Sequence, residues 1–301
     1  MSTPRVCILV VAALAAVSSS ASAVIVNGGD GTQNTTGEGA QGWEHVGTVR
    51  GASAVYLGNQ WVLTAVHVGP GDLFLPGRGF YSVVPGSSVT LVDPVTSVPT
   101  DMTMFRISSD PGLPTLNIPT ASPSLNTTLF MTGFGRNRAP NLSYWSVNSA
   151  DPENPIWTQL GSSSGASRSG FFLAPGNTKR WGTNNVNNFP GTPVTPGVID
   201  AGLGPIRVIS TSFSNLSGEG QGASGDSGGG AFDAGGRLVG MLNAIGTFIN
   251  QPADTVVIGQ LTYVADLSQY RNQILLRTNV IPEPASALAL VPALALLARR
   301  R

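Results

Sequence analysis

Short apolar segments recur along the whole chain and are separated by clusters of Gly, Pro, Asn and Asp. Segments of this length, bounded by turn-forming residues, predict β-strands rather than helices. Their number and spacing predict an all-β barrel or sandwich, and no repeat of 20 to 50 residues is present. The predicted strands are Ala54–Leu57, Trp61–Val66, Ser88–Val92, Met102–Ile107, Leu129–Thr132, Gly170–Leu173, Ile206–Ile209, Gly230–Phe232, Arg237–Leu242 and Thr255–Val264.

One helix is predicted near the end of this region. Val264, Leu267, Ile274 and Leu275 would share one face of it. Asp266 with Gln269 resembles a capping-box start. By contrast, the stretch from 140 to 196 is rich in Asn, Ser, Gly and Pro, and it predicts long surface loops.

Composition agrees with a turn-rich globular protein. The chain has 301 residues, of which 11% are charged, 38 are Gly and 22 are Pro. Globular proteins average about 25% charged residues. At 41% hydrophobic the chain can still bury a core. The formal net charge is zero and the basic residues are scattered, which excludes a basic surface for nucleic acid.

Residues 1–23 have the pattern of a secretory signal peptide. Arg5 is followed by an apolar run from Val6 to Val17, and Ala21-Ser22-Ala23 offers a cleavage site for signal peptidase. The alternative is a buried N-terminal helix. Cleavage would make Val24 the first residue and would remove Cys7, the only cysteine, so the mature protein has neither disulfide nor cysteine metal ligand.

Residues 280–301 form a second terminal signal. A Pro282-Glu283-Pro284 motif leads into an apolar run from 285 to 298 and then into Arg299–Arg301. This order resembles the PEP-CTERM sorting tail of Gram-negative and related bacteria. The resemblance implies export to the cell surface or medium, a transient membrane anchor, and removal by an exosortase-type enzyme. An ordinary short tail anchor is the alternative, although the run is shorter than the roughly 20 residues that span a bilayer.

The sequence Gly225-Asp226-Ser227-Gly228-Gly229 carries the most chemical information. A serine hydroxyl becomes a nucleophile when a nearby base takes its proton. Flanking glycines let the N–H groups of Gly225 and Ser227 converge on an oxygen that becomes negative. The alternative is a plain glycine-rich turn.

The candidate base is one of only two histidines. His67 ends the strand-like run from Trp61, whereas His45 lies in a polar loop and is expected to be a solvated surface residue. A carboxylate must then hold the imidazole in its productive tautomer. Asp101, at the start of an apolar strand, is favoured over Asp93, which precedes a proline in a predicted turn.

These residues lie in motifs that resemble the trypsin-like serine proteases, in the family's order His, Asp, Ser. The matching segments are Trp61–His67, Thr100–Phe105, Thr132–Gly135, Gly225–Gly229, Leu238–Met241 and Tyr263-Val264. The resemblance implies two six-stranded antiparallel β-barrels, at about 24–130 and 131–279, with the active site between them and a C-terminal helix. It implies a peptidase with His67, Asp101 and Ser227 as catalytic residues and with Gly225 and Ser227 as the oxyanion hole.

The chain departs from the family pattern at two informative places. Ile25–Gly29 resembles the family's mature N-terminus, which pairs with the aspartate before the serine, here Asp226. Cleavage after Ala23 would leave Val24 as an extra residue, so a shifted ion pair or further trimming is expected. Asn243 stands where the family has a serine that supports the catalytic aspartate.

The resemblance also assigns a specificity pocket. Gln221, six residues before Ser227, would lie at its base, with Gly222, Gly259 and the Asn243-Ala244-Ile245 strand as walls. An uncharged base predicts cleavage after uncharged residues of small or medium size, because a buried substrate cation needs a counter-charge. The alternatives are a rearranged loop in which Gln221 faces solvent, or Glu219 as the pocket acid.

The sequence therefore predicts an exported serine endopeptidase that acts on a polypeptide substrate without cofactor, metal or nucleic acid. Two histidines and no mature thiol offer no zinc cluster. The alternatives are a non-catalytic surface or matrix protein that uses the fold as a binding scaffold, or an esterase with the same triad.

Overall fold

The computed structural model describes residues 24–188 and 196–279. Both predicted terminal signals, 1–23 and 280–301, lie outside the described residues. Within the described part of the chain, no helix is long and apolar enough to cross a membrane.

The described chain is almost entirely β-structure, with a 3-10 turn at Trp43–His45 and a helix, α1, at Leu267–Thr278. The first-half strands are Ile25–Val26 (β1), Val46–Val49 (β2), Ala52–Gly58 (β3), Trp61–Thr64 (β4), Leu73–Leu75 (β5), Gly79–Tyr81 (β6), Val89–Val92 (β7), Pro99–Arg106 (β8), Thr128–Gly133 (β9), Arg136–Arg138 (β10) and Ser143–Asn148 (β11). The others are Ile156–Leu160 (β12), Arg168–Asn177 (β13), Arg180–Asn187 (β14), Gly197–Asp200 (β15), Pro205–Ser212 (β16), Gly220–Gln221 (β17), Gly230–Phe232 (β18), Leu238–Gly246 (β19), Thr255–Val257 (β20) and Leu261–Asp266 (β21).

The predicted all-β class with a C-terminal helix is confirmed, and each predicted apolar segment contains strand. One segment, Thr255–Val264, is divided into β20 and β21. The division lies at a turn in which Gly259 has a φ of +100°. Glycine adopts this conformation without the steric cost that a Cβ would bring.

The two barrels differ in how they close. In the second, β14, β9, β18, β19, β21 and β16 pair in that order, and β14 also pairs with β16, which closes a six-stranded barrel. In the first, seven strands pair in the order β6-β5-β2-β3-β4-β8-β7. An isolated bridge between Val83, which follows β6, and Ile107, which follows β8, brings the β6 edge of this sheet close to β8.

The predicted loop region from 140 to 196 is mainly strand over its described part, up to residue 188, which corrects the sequence prediction there. β11, β12 and β13 form a further sheet with β10 and β20, while β14 joins the second barrel. Polar residues are accommodated because their buried groups find backbone acceptors. Asn184 in β14, for example, donates to the carbonyls of Ser212 and Gly220 at 3.1 and 2.9 Å.

The helix begins as predicted at Asp266, whose carboxylate accepts hydrogen bonds from the N–H and hydroxyl of Ser268 at 3.1 and 2.7 Å. The capping box is not formed, because the Gln269 amide donates to Ser122 instead. Val264 lies in β21 rather than in the helix, and Ile274 is buried against the core.

The largest apolar cluster crosses from one barrel to the other. It joins Val55 and Leu63 of the first barrel to Phe232, Met241 and other residues of the second. The cleft between the barrels therefore has a continuous apolar base, which holds its two walls at a defined separation.

Gly170→Ala should destabilise the additional sheet. A Cβ at Gly170 would lie 2.1 Å from the carbonyl oxygen of Val256 in β20, and that backbone cannot move without breaking the β13–β20 pairing. We expect a loss of about 1–3 kcal/mol, typical of overpacking, measured by thermal unfolding. Gly161→Ala is the matched control, because nothing lies within 4 Å of its added Cβ. Equal unfolding temperatures for the two variants would contradict the assigned contact.

Candidate active site

His67 and Asp101 meet at the edge of the cleft. β4 and β8 are paired neighbours, and this brings the chain after β4 beside Asp101 in β8. The Nδ1 atom of His67 lies 2.6 Å from Oδ2 of Asp101, and the His67 backbone N–H donates to Oδ1 at 3.0 Å. Asp101 is only 3% exposed. The hydrogen bond that the His67 ring donates to Asp101 raises the pKa of His67 above its ordinary value, because the carboxylate stabilises the imidazolium.

The competing aspartate lies elsewhere. Asp93 forms an ion pair with Arg207, at 2.9 Å, and accepts N–H groups of its own turn from Val95 and Thr96. The structure places it away from His67, and its carboxylate stabilises the turn that precedes β8.

His45 is buried, which corrects the expectation of a solvated surface residue. The 3-10 turn directs its ring inward, where it stacks against Tyr56 and its Nδ1 lies 2.9 Å from the Tyr56 carbonyl. Burial lowers the pKa of His45, because the charged form loses solvation.

Ser227 lies in a tight turn held by the first barrel. The Ser53 N–H donates to the carbonyls of both Gly225 and Ser227, at 3.1 Å each. Gly225 and Gly228 have φ angles of +95° and +89°. A Cβ at Gly228 would lie 2.0 Å from the Ser53 carbonyl oxygen, so glycine is required where the two barrels touch.

The same turn leaves two N–H donors unused. Among the described residues, no acceptor receives the N–H of Gly225 or of Ser227. The Ser227 hydroxyl donates to the Asn243 carbonyl at 3.4 Å, and it forms no hydrogen bond with His67 within the described chain. Hydrogen bonds between nucleophile and base are often long before substrate binds.

Asn243 connects the two halves of the site. Its Nδ2 donates to the Oδ2 and the backbone carbonyl of Asp101 at 3.1 and 3.3 Å, while its own carbonyl accepts from Ser227. The β19–β21 register shifts between Leu242 and Ala244, and such a bulge redirects a side chain. An amide therefore occupies the place at which the resemblance expected a supporting hydroxyl.

Asp226 is buried beside Ser227, and backbone N–H groups hold its carboxylate. It accepts the N–H groups of Val24, Gly135 and Ala223 at 3.2, 2.8 and 2.8 Å. Burial raises the pKa of Asp226 to about 7 in spite of these donors. Val24, and not Ile25, lies at the carboxylate, because β1 pairs with β17 from Ile25 onward. The contact with Asp226 is thus shifted by one residue, from Ile25 to Val24, which agrees with the first of the two expected alternatives and requires no trimming of Val24.

A cavity of about 150 Å³ lies beside Ser227. The predicted residues Gly222, Asn243, Ala244 and Ile245 line it, together with Thr262, which the sequence reasoning missed. The methyl group of Thr262 would lie 3.0 Å from a Cβ at Gly222 and narrows the lumen. Thr262 immediately precedes the Tyr263-Val264 motif, so strand alternation in that motif was the available signal.

Gln221 and Gly259 do not line this cavity. Gln221 is completely buried. It lies in β17 opposite Ile25 of β1, and its side-chain amide donates to the Leu261 carbonyl at 3.1 Å. Gly259 lies in the turn before β21, where its N–H donates to Phe213. Both residues therefore have structural roles outside the cavity, Gln221 in the β1–β17 pairing and Gly259 in the turn before β21.

Asp226 is the one carboxylate-bearing residue among those that line the cavity, and both of its carboxylate oxygens accept backbone N–H groups, from Val24 and Gly135 at Oδ1 and from Ala223 at Oδ2. The Glu219 carboxylate caps Ser214, accepting from its N–H and hydroxyl at 2.6 and 2.7 Å. Glu219 is not among the residues that line the cavity. In residues 24–188 and 196–279, no group of three His, Cys, Asp or Glu side chains lies close enough to hold a metal ion.

The two histidines should titrate on opposite sides of the ordinary value of about 6.5. NMR of the ring protons should show His67 above this value and His45 below it, because a carboxylate stabilises one cation and burial disfavours the other. Asp101→Asn should lower the pKa of His67 and leave that of His45 unchanged. A His67 titration at or below 6.5 in the unmodified protein would contradict the ion pair.

The contribution of this ion pair to stability has a defined sign. Because the folded-state pKa of His67 is raised, its stabilising effect is fully present below the unfolded pKa. It is lost as the pH rises through the folded pKa. The pKa of His45 is lowered in the folded state, so its effect on stability has the opposite sign. Folding is destabilised as the pH falls and the unfolded form binds the proton that buried His45 does not.

No protein-family model and no curated protein matches the sequence. Solved structures do match. A double mutant of human heparin binding protein has a TM-score of 0.50 and 12% identity, covering 86% of this chain and 97% of its own. Mouse neuropsin, a serine protease, has a TM-score of 0.44 and 13% identity, covering 80% of this chain and 96% of its own. A mutant of Rv3671c from M. tuberculosis, in an inactive form, has a TM-score of 0.43 and 13% identity, covering 87% of this chain and 100% of its own. At these identities the likeness shows the fold alone, which is chymotrypsin-like.

Proposed function

We propose that the protein is a serine endopeptidase. The observation that carries the proposal is the 2.6 Å contact between His67 and Asp101 at the edge of the cleft that contains Ser227. A carboxylate that orients a histidine beside a serine is the arrangement needed for acyl transfer. The two unused N–H groups of the Ser227 turn offer the complementary site for a developing oxyanion.

In this proposal the Ser227 hydroxyl attacks the carbonyl carbon of the scissile bond while His67 takes the hydroxyl proton. The carbonyl oxygen becomes negative and is stabilised by the N–H groups of Gly225 and Ser227. His67 then gives the proton to the leaving amine, and water releases the acyl group by the same steps in reverse order. Asp101 holds the imidazole, and Asn243 holds Asp101.

We further propose that signal cleavage after Ala23 prepares the site directly. The new α-amino group of Val24 would lie at the position of its present N–H, 3.2 Å from Asp226. A positive charge there would oppose the desolvation that raises the pKa of this carboxyl to about 7. Export and a PEP-CTERM-type tail remain proposals from the terminal motifs, which lie outside the described residues.

A binding scaffold without catalysis is the second candidate. One observation favours it, since the Ser227 hydroxyl donates to Asn243 and not to His67. A fluorophosphonate probe distinguishes the two, because only an activated serine reacts with it. Hydrolysis of esters but not of peptides would instead support the esterase alternative.

Ser227→Ala and His67→Ala should each remove nearly all turnover of a peptide mixture, because residues of a triad act as a unit. The fall should be on the order of 10⁴-fold or more in kcat. His45→Gln is the matched control, since it changes the other histidine, and it should keep its activity below its unfolding temperature. Activity should rise with pH through the raised pKa of His67. Full activity in His67→Ala, or a flat profile from about pH 5 to 8, would contradict a histidine base.

The cavity predicts cleavage after uncharged residues of small or medium size. A peptide-library digest should show this preference, because Asp226, the one acidic residue of the lining, has its carboxylate oxygens engaged by backbone N–H groups and offers no free counter-charge to a buried substrate cation. Ile245→Ala should shift cleavage toward larger apolar residues by removing bulk from the wall. Ile249→Ala, at an exposed position outside the cavity, should leave the preference unchanged. Dominant cleavage after Arg or Lys would contradict the assignment.

A further inference from the structure

Arg138 is a buried arginine whose guanidinium, among the described residues, donates hydrogen bonds to carbonyl oxygens alone. It is 4% exposed, and Phe171 covers its face with the ring centre 4.0 Å away. One terminal nitrogen donates to the carbonyls of Ala139 and Pro140 at 2.9 and 3.0 Å. Buried cations are normally paired with a carboxylate. Arg138 forms its hydrogen bonds with backbone carbonyls instead, while the Asp30 carboxylate acts on it only through a longer-range electrostatic attraction.

The remaining donors of Arg138 hold the segment that follows Val24. Its Nε donates to the Val26 carbonyl at 3.0 Å, and its second terminal nitrogen donates to Gly28 and Gly29 at 2.5 and 3.1 Å. Gly28, Gly29 and Gly31 all have positive φ. This glycine-rich turn curls around the side chain so closely that a Cβ at Gly31 would lie 3.1 Å from Cγ of Arg138.

The held segment leads directly to the catalytic turn. Two residues before Val26, the Val24 nitrogen donates to Asp226, which is the neighbour of Ser227. The same carboxylate accepts the Ala223 N–H, and the Asp226 N–H donates to the Ala223 carbonyl at 3.0 Å. Asp226 therefore closes the loop of backbone that includes Gly225. A displacement of the N-terminal segment would leave this buried carboxylate short of a donor.

We propose that Arg138 is a positioning residue for catalysis: by holding residues 26–29 it keeps Val24 on Asp226 and keeps the Gly225 and Ser227 N–H groups converged. This inference rests on the proposed peptidase function. It assigns the effect to the forked geometry of the guanidinium, since one ammonium group cannot reach carbonyls on two sides at once.

The test compares two arginine variants in the exported protein, assayed well below their unfolding temperatures. Arg138→Met should lower kcat and the rate of fluorophosphonate labelling by at least about tenfold, equivalent to about 1.4 kcal/mol in activation free energy. KM should stay nearly constant, because the lost interaction acts on the transition state. Arg207→Met is the matched control. It breaks an ion pair with the buried Asp93 and should lower stability without lowering kcat.

Two further variants separate positioning from folding. The kcat of Arg138→Lys should be closer to that of Arg138→Met than to that of the unmodified protein. Gly31→Ala keeps the arginine but crowds it, and should also lower kcat. Gly77→Ala has a similar φ and an added Cβ with no neighbour within 4 Å, so it should not.

The outcomes distinguish the two proposals. An unmodified protein that does not react with the fluorophosphonate would overturn the peptidase function itself. A reactive protein whose Arg138→Met or Arg138→Lys variant keeps full kcat would overturn only the positioning role, as would equal losses in the Gly31 and Gly77 variants.

Discussion

The buried carboxylate of Asp226 is the interaction on which the site depends. Two N–H groups from distant parts of the chain, at Val24 and Gly135, and a third from its own turn, at Ala223, converge on it. A Cβ at Gly133 or Gly135 would lie 2.3 or 2.6 Å from its oxygens, so two glycines are needed merely to make room. Since an unsatisfied buried charge is costly, the carboxylate forces the N-terminal segment, the start of the second barrel and the nucleophile turn into one arrangement.

The two barrels contribute different halves of the candidate site, and polar contacts between them set the alignment of these halves. His67 and Asp101 belong to the first barrel, whereas Ser227 and Asn243 belong to the second. The Asn243 amide reaches across to Asp101, and Ser53 reaches across in the other direction to the Ser227 turn. An apolar cluster shared by both barrels lies beneath these contacts. The apolar cluster stabilises the contact between the barrels but does not fix their relative orientation. The hydrogen bonds fix that orientation, because they require specific distances and angles.

Buried basic side chains also fix segments of the chain relative to one another, a role that disulfides often have in exported proteins. The described residues contain no cysteine and therefore no disulfide. Lys179, the only lysine, lies between the barrels with its ammonium group 2.5 Å from the carbonyls of Trp43 and Val46 and over the Trp43 ring. Burial lowers its pKa to about 7. Arg180 likewise donates to the Gln33 carbonyl at 3.1 Å and ties the N-terminal segment to β14. Long basic side chains thus hold irregular segments by their backbone carbonyls.

Local pattern was sufficient for the strands with an apolar face and for the helix start at Asp266, because each depends on a few adjacent residues. The same kind of pattern singled out His67, Asp101 and Ser227 as candidates, and their catalytic role stays a prediction. Local pattern was insufficient for β11 to β14, whose polar residues are stabilised by partners far along the chain. It misjudged His45, whose burial depends on Tyr56, and placed Gln221 and Gly259 in a cavity that Thr262 lines instead. Nor could it select Val24 over Ile25 as the partner of Asp226. The sequence alone determined which residues could react, and the tertiary structure decided which of them meet, because registers between strands and the burial of each charge are set by contacts between distant segments.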